Sequence, residues 1–379
     1  MDDGAEEGGR TTASAGGRWQ AVRRLLVIRA DNIGDVVMAG PALRAVRETL
    51  PDVHVTLLAS PTGAQAAPLL PWIDDVIVRR VLWQDLGRLP FEPRRERGLI
   101  ARLAAGRFDG AVILTSFSQS PHPAAFVAWL AGIPLRAGAS RERSGLLTDP
   151  VAFPPFECHQ TARNLAVVAA LGFRVRSSAL EVRIPPEARS RAAALLRQRG
   201  IADGASYLLW NPWATAAART WDPRHGSQAV RLVAAATGLS VVVTGSAREA
   251  DGTAALAEAV GTAAVDLAGR TSVAELAALV RDARLVITNH TLAMHLADAL
   301  GTPAVVTFSG TDLESQWAPR RSPHRLLRKP TACAPCYAFD CPFGHECLGF
   351  EPRDVADAAL ELLAASAPPR ATPVEARRA

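Results

Sequence analysis

Short apolar runs that alternate with amphipathic stretches constrain the fold of this chain more than any other feature. Leu25–Arg29 and Val53–Ala59 have the length and composition of buried strands, and the residues after them have helical spacing. Further runs of this kind stand at Val76–Arg79, Ala111–Thr115, Tyr207–Trp210, Val241–Thr244, Leu285–Thr288 and Ala304–Phe308. Strands that alternate with helices predict an α/β fold with parallel sheets. The 379 residues are enough for two such domains.

The Pro185-Pro186 pair interrupts this pattern and predicts a domain boundary. We predict an N-terminal Rossmann-like domain at 21–185 and a C-terminal one at 186–350. Ligands then bind in the cleft that the carboxyl ends of the strands face. A helix at 351–366 is expected to pack back on the first domain.

The composition and the two ends of the chain bound its class. The polar segments 1–20 and 367–379 are predicted to be disordered tails. Met1–Gly9 is acidic and has no apolar core of a signal peptide, and no apolar run is long enough to span a membrane. We therefore expect a cytoplasmic protein. The net charge of +5 is too small at this length to indicate a nucleic-acid partner, but it fits an anionic substrate or an anionic membrane surface.

An aspartate lies in the loop that follows the first predicted strand. Asp35 comes directly after Gly34, near the carboxyl end of that strand, where a carboxylate can take a proton from an acceptor hydroxyl. Gly34 would let a substrate approach the backbone closely. The alternative is that Asp31 and Asp35 cap the helix that opens near Pro41.

Polar groups also follow the strands of the second half. Thr215 and Arg219 offer a hydroxyl and a cation to a diphosphate. Glu249 follows a strand and Gly245, as an acid on a nucleotide ribose does, although an acid there also complements a helix dipole. The turn around Gly269 needs no function.

The segment Thr288–His295 precedes a predicted helix, whose N-terminal amides can hold an anion. His290 adds positive charge there when it is protonated, whereas a lone histidine is more often structural.

In their order and spacing these segments resemble glycosyltransferase family 9, the ADP-heptose heptosyltransferases of lipopolysaccharide core assembly, over roughly residues 24–365. The resemblance implies a GT-B fold, with Asp35 as the catalytic base and an acceptor side that contains Arg29, Asn32 and Gly34. It also implies a nucleotide-sugar site, and the residues assigned to it are Thr215, Arg219, Glu249, Gly269, His290, Thr291, Leu292 and His295.

Four positions depart from the family pattern. Arg219 stands where lysine is usual, and Trp213 replaces a glycine and is expected to narrow the pocket. His290 replaces an aspartate and Leu292 replaces a glycine, so both touch the expected donor site.

Four cysteines lie within fifteen residues, at Cys333, Cys336, Cys341 and Cys347. Such a group can bind structural zinc or iron, and related bacterial heptosyltransferases use a cysteine motif for iron. Two short-range disulfides or reduced thiols are the alternatives. Catalysis itself needs no cofactor in this scheme, since the chain has no DxD motif for a divalent metal.

The sequence thus predicts an enzyme that transfers a sugar, heptose from ADP-heptose, to a hydroxyl of a glycan, lipid-linked or small-molecule acceptor. We expect it to work in the cytoplasm, with a peripheral contact at the inner face of the membrane. The basic segment Arg88–Arg97 with Phe91 suits an anionic or membrane-bound acceptor, and the alternative is that it is a solvated helix start. Two other functions stay open: a nucleotide-sugar 2-epimerase of the same fold, and a degenerate binding or scaffold protein.

Overall fold

The computed structural model describes residues 15–85, 87–142 and 144–366. Within these residues the chain forms two six-stranded sheets, and every pair of neighbouring strands is parallel. The first sheet consists of β1 (Arg24–Arg29), β2 (His54–Ala59), β3 (Asp75–Val78), β4 (Gly110–Ile113), β5 (Leu135–Ser140) and β6 (Asp149–Ala152). The second consists of β7 (Tyr207–Asn211), β8 (Ser240–Val243), β9 (Ala264–Asp266), β10 (Leu285–Asn289), β11 (Ala304–Thr307) and β12 (His324–Leu327).

Helices connect these strands and cover the sheets. Those of the first half are α1 (Ala15–Gln20), α2 (Ile33–Val37), α3 (Gly40–Thr49), α4 (Pro93–Ala105), α5 (His122–Leu130) and α6 (Gln160–Ala170). Those of the second half are α7 (Pro186–Gln198), α8 (Pro223–Thr237), α9 (Ala250–Val260), α10 (Val273–Asp282), α11 (Leu292–Leu300), α12 (Glu314–Trp317) and α13 (Pro352–Ala365).

Both sheets have the same topology. The first sheet has the strand order β3-β2-β1-β4-β5-β6. The second sheet, taken from its β9 edge, has the equivalent order β9-β8-β7-β10-β11-β12. The chain reverses its direction of winding between β1 and β4 in one sheet, and between β7 and β10 in the other. In doubly wound sheets ligands bind at these switch points, beyond the carboxyl ends of the strands. The predicted α/β architecture of two parallel-sheet domains is confirmed.

Strand β1 shows why the sequence produces this layering. Its residues from Leu25 to Arg29 are all buried, and alternate side chains enter the cores on opposite faces of the sheet. Leu25 and Val27 pack with α3 and α6, while Leu26 and Ile28 pack with α4 and α5. A continuous apolar run is what a central parallel strand requires, because helices cover both of its faces.

The predicted N-terminal tail at 1–20 is wrong at its end, because residues 15–20 form α1. Trp19 is fully buried below Gly110 and contacts the edge of Phe173. Arg18 pairs with Asp149 at 2.8 Å. One large aromatic residue therefore fixes a segment whose composition favours disorder. Residues 1–14 of this prediction and the tail at 367–379 lie outside the described residues.

The helix α13 packs on the second sheet, and the prediction that it returns to the first domain is wrong. It contacts α8 and the strands β10, β11 and β12. Its buried side chains Val355, Ala356, Ala359 and Leu362 belong to the core around β7, β8 and β10. The apolar stripe of this helix was visible in the sequence, but nothing local to it identifies the surface that it covers.

The boundary near Pro185 stays a prediction, although Ile184 and Ala188 already belong to the core of the second sheet.

In the described part of the chain, no helix has both the length and the apolar character that crossing a membrane requires.

Candidate active site

Asp35 lies in the first turn of the short helix α2, directly beyond β1. Its Oδ1 accepts a hydrogen bond from Arg29 Nη2 at 2.7 Å, and its Oδ2 accepts a long one from the Asn32 amide at 3.3 Å. The side chain is 14% exposed. The contact with Asn32 belongs to the capping box of α2, whereas the alternative interpretation had Asp35 cap the helix near Pro41, and it leaves Oδ2 only weakly held.

Arg29 ends β1 and is fully buried. Besides Asp35, its Nη2 donates to Ser116 Oγ at 2.8 Å, which joins the ends of β1 and β4. Its Nε faces Asp31 Oδ2 at 3.0 Å. One guanidinium thus lies between two carboxylates at the switch point of the first sheet.

Gly34 faces the second domain. A Cβ added to Gly34 would lie 2.8 Å from Cδ2 of His295, which is on α11. The neighbour of this glycine is therefore a histidine ring, whereas we had expected an open approach for a substrate. The loop that carries Asp35 and the first turns of α11 meet across the cleft.

His295 is buried at this contact. Burial lowers its pKa to about 4, against the opposing charges of Asp35 and Asp298. The ring is therefore neutral at pH 7, and it lies against the loop of Asp35 without adding a charge. Thr291, the residue before α11, makes no capping hydrogen bond with its side chain.

Arg219 is held by a carboxylate from another part of the chain. It ends a short 3₁₀ helix at Ala217–Arg219, and its Nη2 lies 3.0 Å from Asp312 Oδ2. Asp312 is almost fully buried, whereas the Arg219 side chain is 33% exposed to solvent. Burial opposes ionisation of Asp312, but the hydrogen bond from His290 and the charge of Arg219 outweigh it and lower the pKa of Asp312.

His290 belongs to this buried group. Its Nδ1 accepts from the Ser309 amide at 3.4 Å, so Nε2 carries the proton and donates to Asp312 Oδ2 at 3.2 Å. The ring stacks on Phe308 with centroids 4.3 Å apart. Burial lowers the pKa of His290. The expectation that a protonated His290 charges the anion site is therefore wrong, because the ring is neutral and faces Asp312.

Leu292, at the first position of α11, packs against the apolar core of the first sheet and against that of the second, as do Ile33 and Val182. It therefore lies at the apolar contact between the domains. This contact also explains how a large side chain is accommodated at this position.

The remaining residues predicted on the donor side lie in the loops and turns that follow β7, β8 and β9. Thr215 is exposed beyond β7, and Gly269 has a positive φ of 70° in a turn against Ala247. Glu249 accepts from the Ser246 amide at 2.6 Å, so the structure realises the capping alternative for this acid. Trp213 donates to Thr253 Oγ1 at 2.8 Å, and its ring lies beside Gly252.

The cysteine segment lies behind the loop that carries Arg219. The Ala218 amide donates to the Phe339 carbonyl at 2.9 Å, and the Tyr337 amide donates to the Thr311 carbonyl at 2.8 Å. The ring of Tyr337 also contacts Phe117 and Phe156 of the first domain. This segment therefore links the donor-side loops to the opposite wall of the cleft.

All five cysteines are free thiols, so the disulfide alternative is not realised. Burial raises the pKa of Cys347, and the nearby thiols of Cys341, Cys333 and Cys336 add to the effect. Nevertheless, within residues 15–85, 87–142 and 144–366 no group of three or more His, Cys, Asp or Glu side chains is arranged to hold a metal ion. The predicted structural zinc or iron is therefore not supported, and no step below depends on it.

Sequence reasoning missed Ser116, Asp312 and the ion pair of Asp31 with Arg29. Ser116 and Asp312 follow β4 and β11, two strands that the hydrophobic pattern identified. A search for polar residues just beyond each central strand would have found both.

The sequence profile described as glycosyltransferase family 9 (heptosyltransferase) matches residues 97–346. A curated protein of Haemophilus influenzae that carries a provisional glycosyltransferase name is 30% identical over 115 residues, and this match covers 30% of each chain.

Two solved structures share the fold. The family 9 glycosyl transferase of Veillonella parvula has a TM-score of 0.73 and 18% identity, and the match covers 91% of this chain and 98% of the other. The ADP-heptose LPS heptosyltransferase II of E. coli has a TM-score of 0.71 and 22% identity, with 90% and 99% covered. This similarity confirms the GT-B fold.

Proposed function

This chain belongs to glycosyltransferase family 9 and is a glycosyltransferase, and we propose that it transfers heptose from ADP-heptose to an acceptor hydroxyl. The proposed donor is the one named for the similar E. coli enzyme. We assign the donor to the second sheet and the acceptor to the first, on either side of the cleft.

The contact between Gly34 and His295 is the observation that carries this proposal. It brings the loop of Asp35 against α11, whose N-terminal amides and dipole suit a diphosphate. A hydroxyl beside Asp35 would then lie next to the anomeric carbon of a sugar whose diphosphate is bound at α11. Such alignment of the two reactants supplies a large part of the rate enhancement.

In the proposed reaction Asp35 is the general base. Arg29 fixes Oδ1, so the weakly held Oδ2 takes the proton of the acceptor hydroxyl. The acceptor oxygen bonds to the anomeric carbon as the bond from that carbon to the diphosphate breaks. The proton ends on Asp35, and the charge ends on the released nucleoside diphosphate.

The leaving diphosphate requires donors that are already in place. We propose that the amides at the start of α11, the Thr291 and Thr215 hydroxyls and Arg219 supply them. The ion pair with Asp312 supports this role, because it holds Arg219 in one orientation while a third of the side chain stays exposed. Glu249, Gly269 and His290 then support the site through the backbone and Asp312 rather than by contact with the donor.

We further propose that the first domain contacts an anionic membrane surface that presents a lipid-linked acceptor, on its cytoplasmic side. Phe126 and Trp129 of α5 stack with centroids 5.9 Å apart, although they are 46% and 52% exposed. Arg94, Arg97 and Arg102 are exposed on the neighbouring α4, and Phe91 before it is 86% exposed. Exposed aromatic and basic side chains together suit an anionic lipid interface.

A panel of nucleotide sugars tests the donor assignment by thermal shift, followed by product analysis with and without glycan acceptors. We expect ADP-heptose to raise the melting temperature most, and its conversion to require an acceptor. Conversion of a donor without an acceptor would instead indicate the epimerase, and the absence of any shift would favour a scaffold protein.

Flotation with vesicles that contain anionic lipid tests the membrane contact, which Trp129→Ser should weaken.

A further inference from the structure

A second carboxylate shares the guanidinium that holds Asp35. Arg29 contacts Asp31 through Nε and Asp35 through Nη2, at 3.0 and 2.7 Å. The Arg29 side chain is fully buried, and those of Asp31 and Asp35 are 10% and 14% exposed. Solvent therefore screens these three charges little, and each carboxylate feels both the guanidinium and the other carboxylate.

The position of Asp31 is fixed by three further side chains. Its Oδ1 accepts from Gln84 Nε2 at 2.6 Å and from Gln119 Nε2 at 2.7 Å. Ser60 Oγ donates to its backbone carbonyl at 2.6 Å. Three separate segments of the chain thus converge on Asp31.

A guanidinium that paired with Asp35 alone would favour its ionised form and make it a poor proton acceptor. A second ionised carboxylate on the same guanidinium has the opposite effect. When Asp35 takes up a proton, the buried charge of Arg29 loses one partner, and an ionised Asp31 still compensates it.

We propose that Asp31 is a positioning residue for Asp35: its ionised form takes a share of the Arg29 charge and thereby makes Asp35 a stronger base. This inference rests on the proposed function, in which Asp35 is the base. It assigns to Asp31 a role beyond helix capping, and it makes the strength of the base depend on whether Asp31 carries a proton.

The surroundings of Asp31 allow its protonation state, and with it the basicity of Asp35, to change with pH. Burial raises the pKa of Asp31, and the charge of Asp35 adds to this, while Arg29 and Gln119 oppose it. The titratable and charged groups that face Asp35 are Arg29, Asp31 and the neutral ring of His295. As the pH rises, Asp31 loses its proton, takes part of the charge of Arg29 and strengthens Asp35.

Carboxyl ¹³C NMR of the full chain, labelled at aspartate, tests this coupling without an assay of transfer. Signals are assigned by their loss in Asp31→Asn and Asp35→Asn. We expect the Asp35 signal of the wild type to respond twice to pH, once where Asp31 titrates. Asp31→Asn should remove that response. An Asp35 signal that is the same in both proteins at every pH would overturn the inference.

Gln119→Leu supplies a second variant in case Asp31→Asn does not fold. It removes a donor that favours ionised Asp31, so both the Asp31 titration and the linked response of Asp35 should move to higher pH. If both stay where they are in the wild type, the coupling is absent.

Kinetics separate this inference from the proposed function. The ratio of wild-type to Asp31→Asn kcat should grow with pH, from near one in acid to roughly tenfold in base, with KM unchanged. A structural role for Asp31 would give a ratio that does not vary with pH. A fully active Asp35→Asn would overturn the proposed base, whereas an inactive one beside a constant ratio for Asp31→Asn would overturn this inference alone.

Discussion

Gly34 and His295 touch across the cleft so closely that the structure has no room for a side chain at residue 34. A Cβ there would lie 2.8 Å from Cδ2 of the ring, closer than such atoms approach in proteins. The first domain therefore presents its carboxylate, Asp35, against the helix of the second domain that we assign to the diphosphate. This contact is the geometric basis of the proposed reaction.

Gly34→Ala should separate the two loops. His295 is buried and cannot turn away freely, so the backbone around Asp35 has to move. A displacement of about 1 Å can cost about 100-fold in rate. We expect kcat to fall by about this factor while the affinity for the donor, measured by calorimetry, changes little. Gly98→Ala is the control, because a Cβ added to Gly98 would meet no atom within 4 Å. This variant should keep wild-type activity.

Asp312→Asn should weaken the buried group that holds Arg219. The variant keeps a partner for His290 but loses the charge that pairs with Arg219. We expect the free energy of unfolding to fall by about 1–3 kcal/mol and donor binding to weaken, as urea denaturation and calorimetry would measure. Asp282→Asn removes an exposed carboxylate that pairs with Arg281 and should change neither. Unchanged donor affinity in Asp312→Asn would contradict the role of Asp312 in holding Arg219.

Stability should decrease as the pH falls from about 6.5 to about 4, because His159 and His295 are both held neutral in the fold. Burial is the main cause of each lowered pKa. In this window the unfolded chain binds protons that the native state excludes, so each ring costs up to about 3 kcal/mol, and the loss levels off below the folded pKa.

Denaturation across this pH range measures the effect. His295→Gln and His159→Gln should each reduce the slope, and the double variant should reduce it most. A variant without either histidine that kept the full slope would show that other groups cause it.

Tyr337→Ala should loosen the closed arrangement of the two domains. Its ring lies 4.9 Å from that of Phe117 and 6.1 Å from that of Phe156, by centroids. Such contacts contribute about 0.5–1.5 kcal/mol each, so we expect lower stability and faster proteolysis between the domains. Phe343→Ala, in the same segment, removes a ring that is 61% exposed and should have little effect. Equal effects of the two substitutions would argue against this contact between the domains.

The sequence was a good guide where the relevant signal is local. The central strands were predicted from their apolar runs, and the structure has them. The loop of Asp35 was identified in the same way, because strand, glycine and carboxylate follow one another directly. The short strand β6, Asp149–Ala152, has no such pattern and was missed.

The sequence was a poor guide where distant segments meet. His290 was interpreted as a ligand for an anion because its partner Asp312, more than twenty residues away, could not be foreseen. Leu292 was placed at the expected donor site, since the part of its apolar surroundings that comes from the first domain is distant in the sequence. Trp19 fixes a segment that its composition marks as disordered, again by a tertiary contact.

The most direct test of the account is the transfer rate of Asp35→Asn at saturating donor and acceptor. The amide cannot accept the proton of the hydroxyl, so kcat should fall by about 100- to 10,000-fold, while ADP-heptose still raises the melting temperature. Asp52→Asn, at an exposed position, is the matched control and should keep wild-type kcat. An Asp35→Asn protein that transfers sugar at the wild-type rate would contradict the assignment of Asp35 as the base.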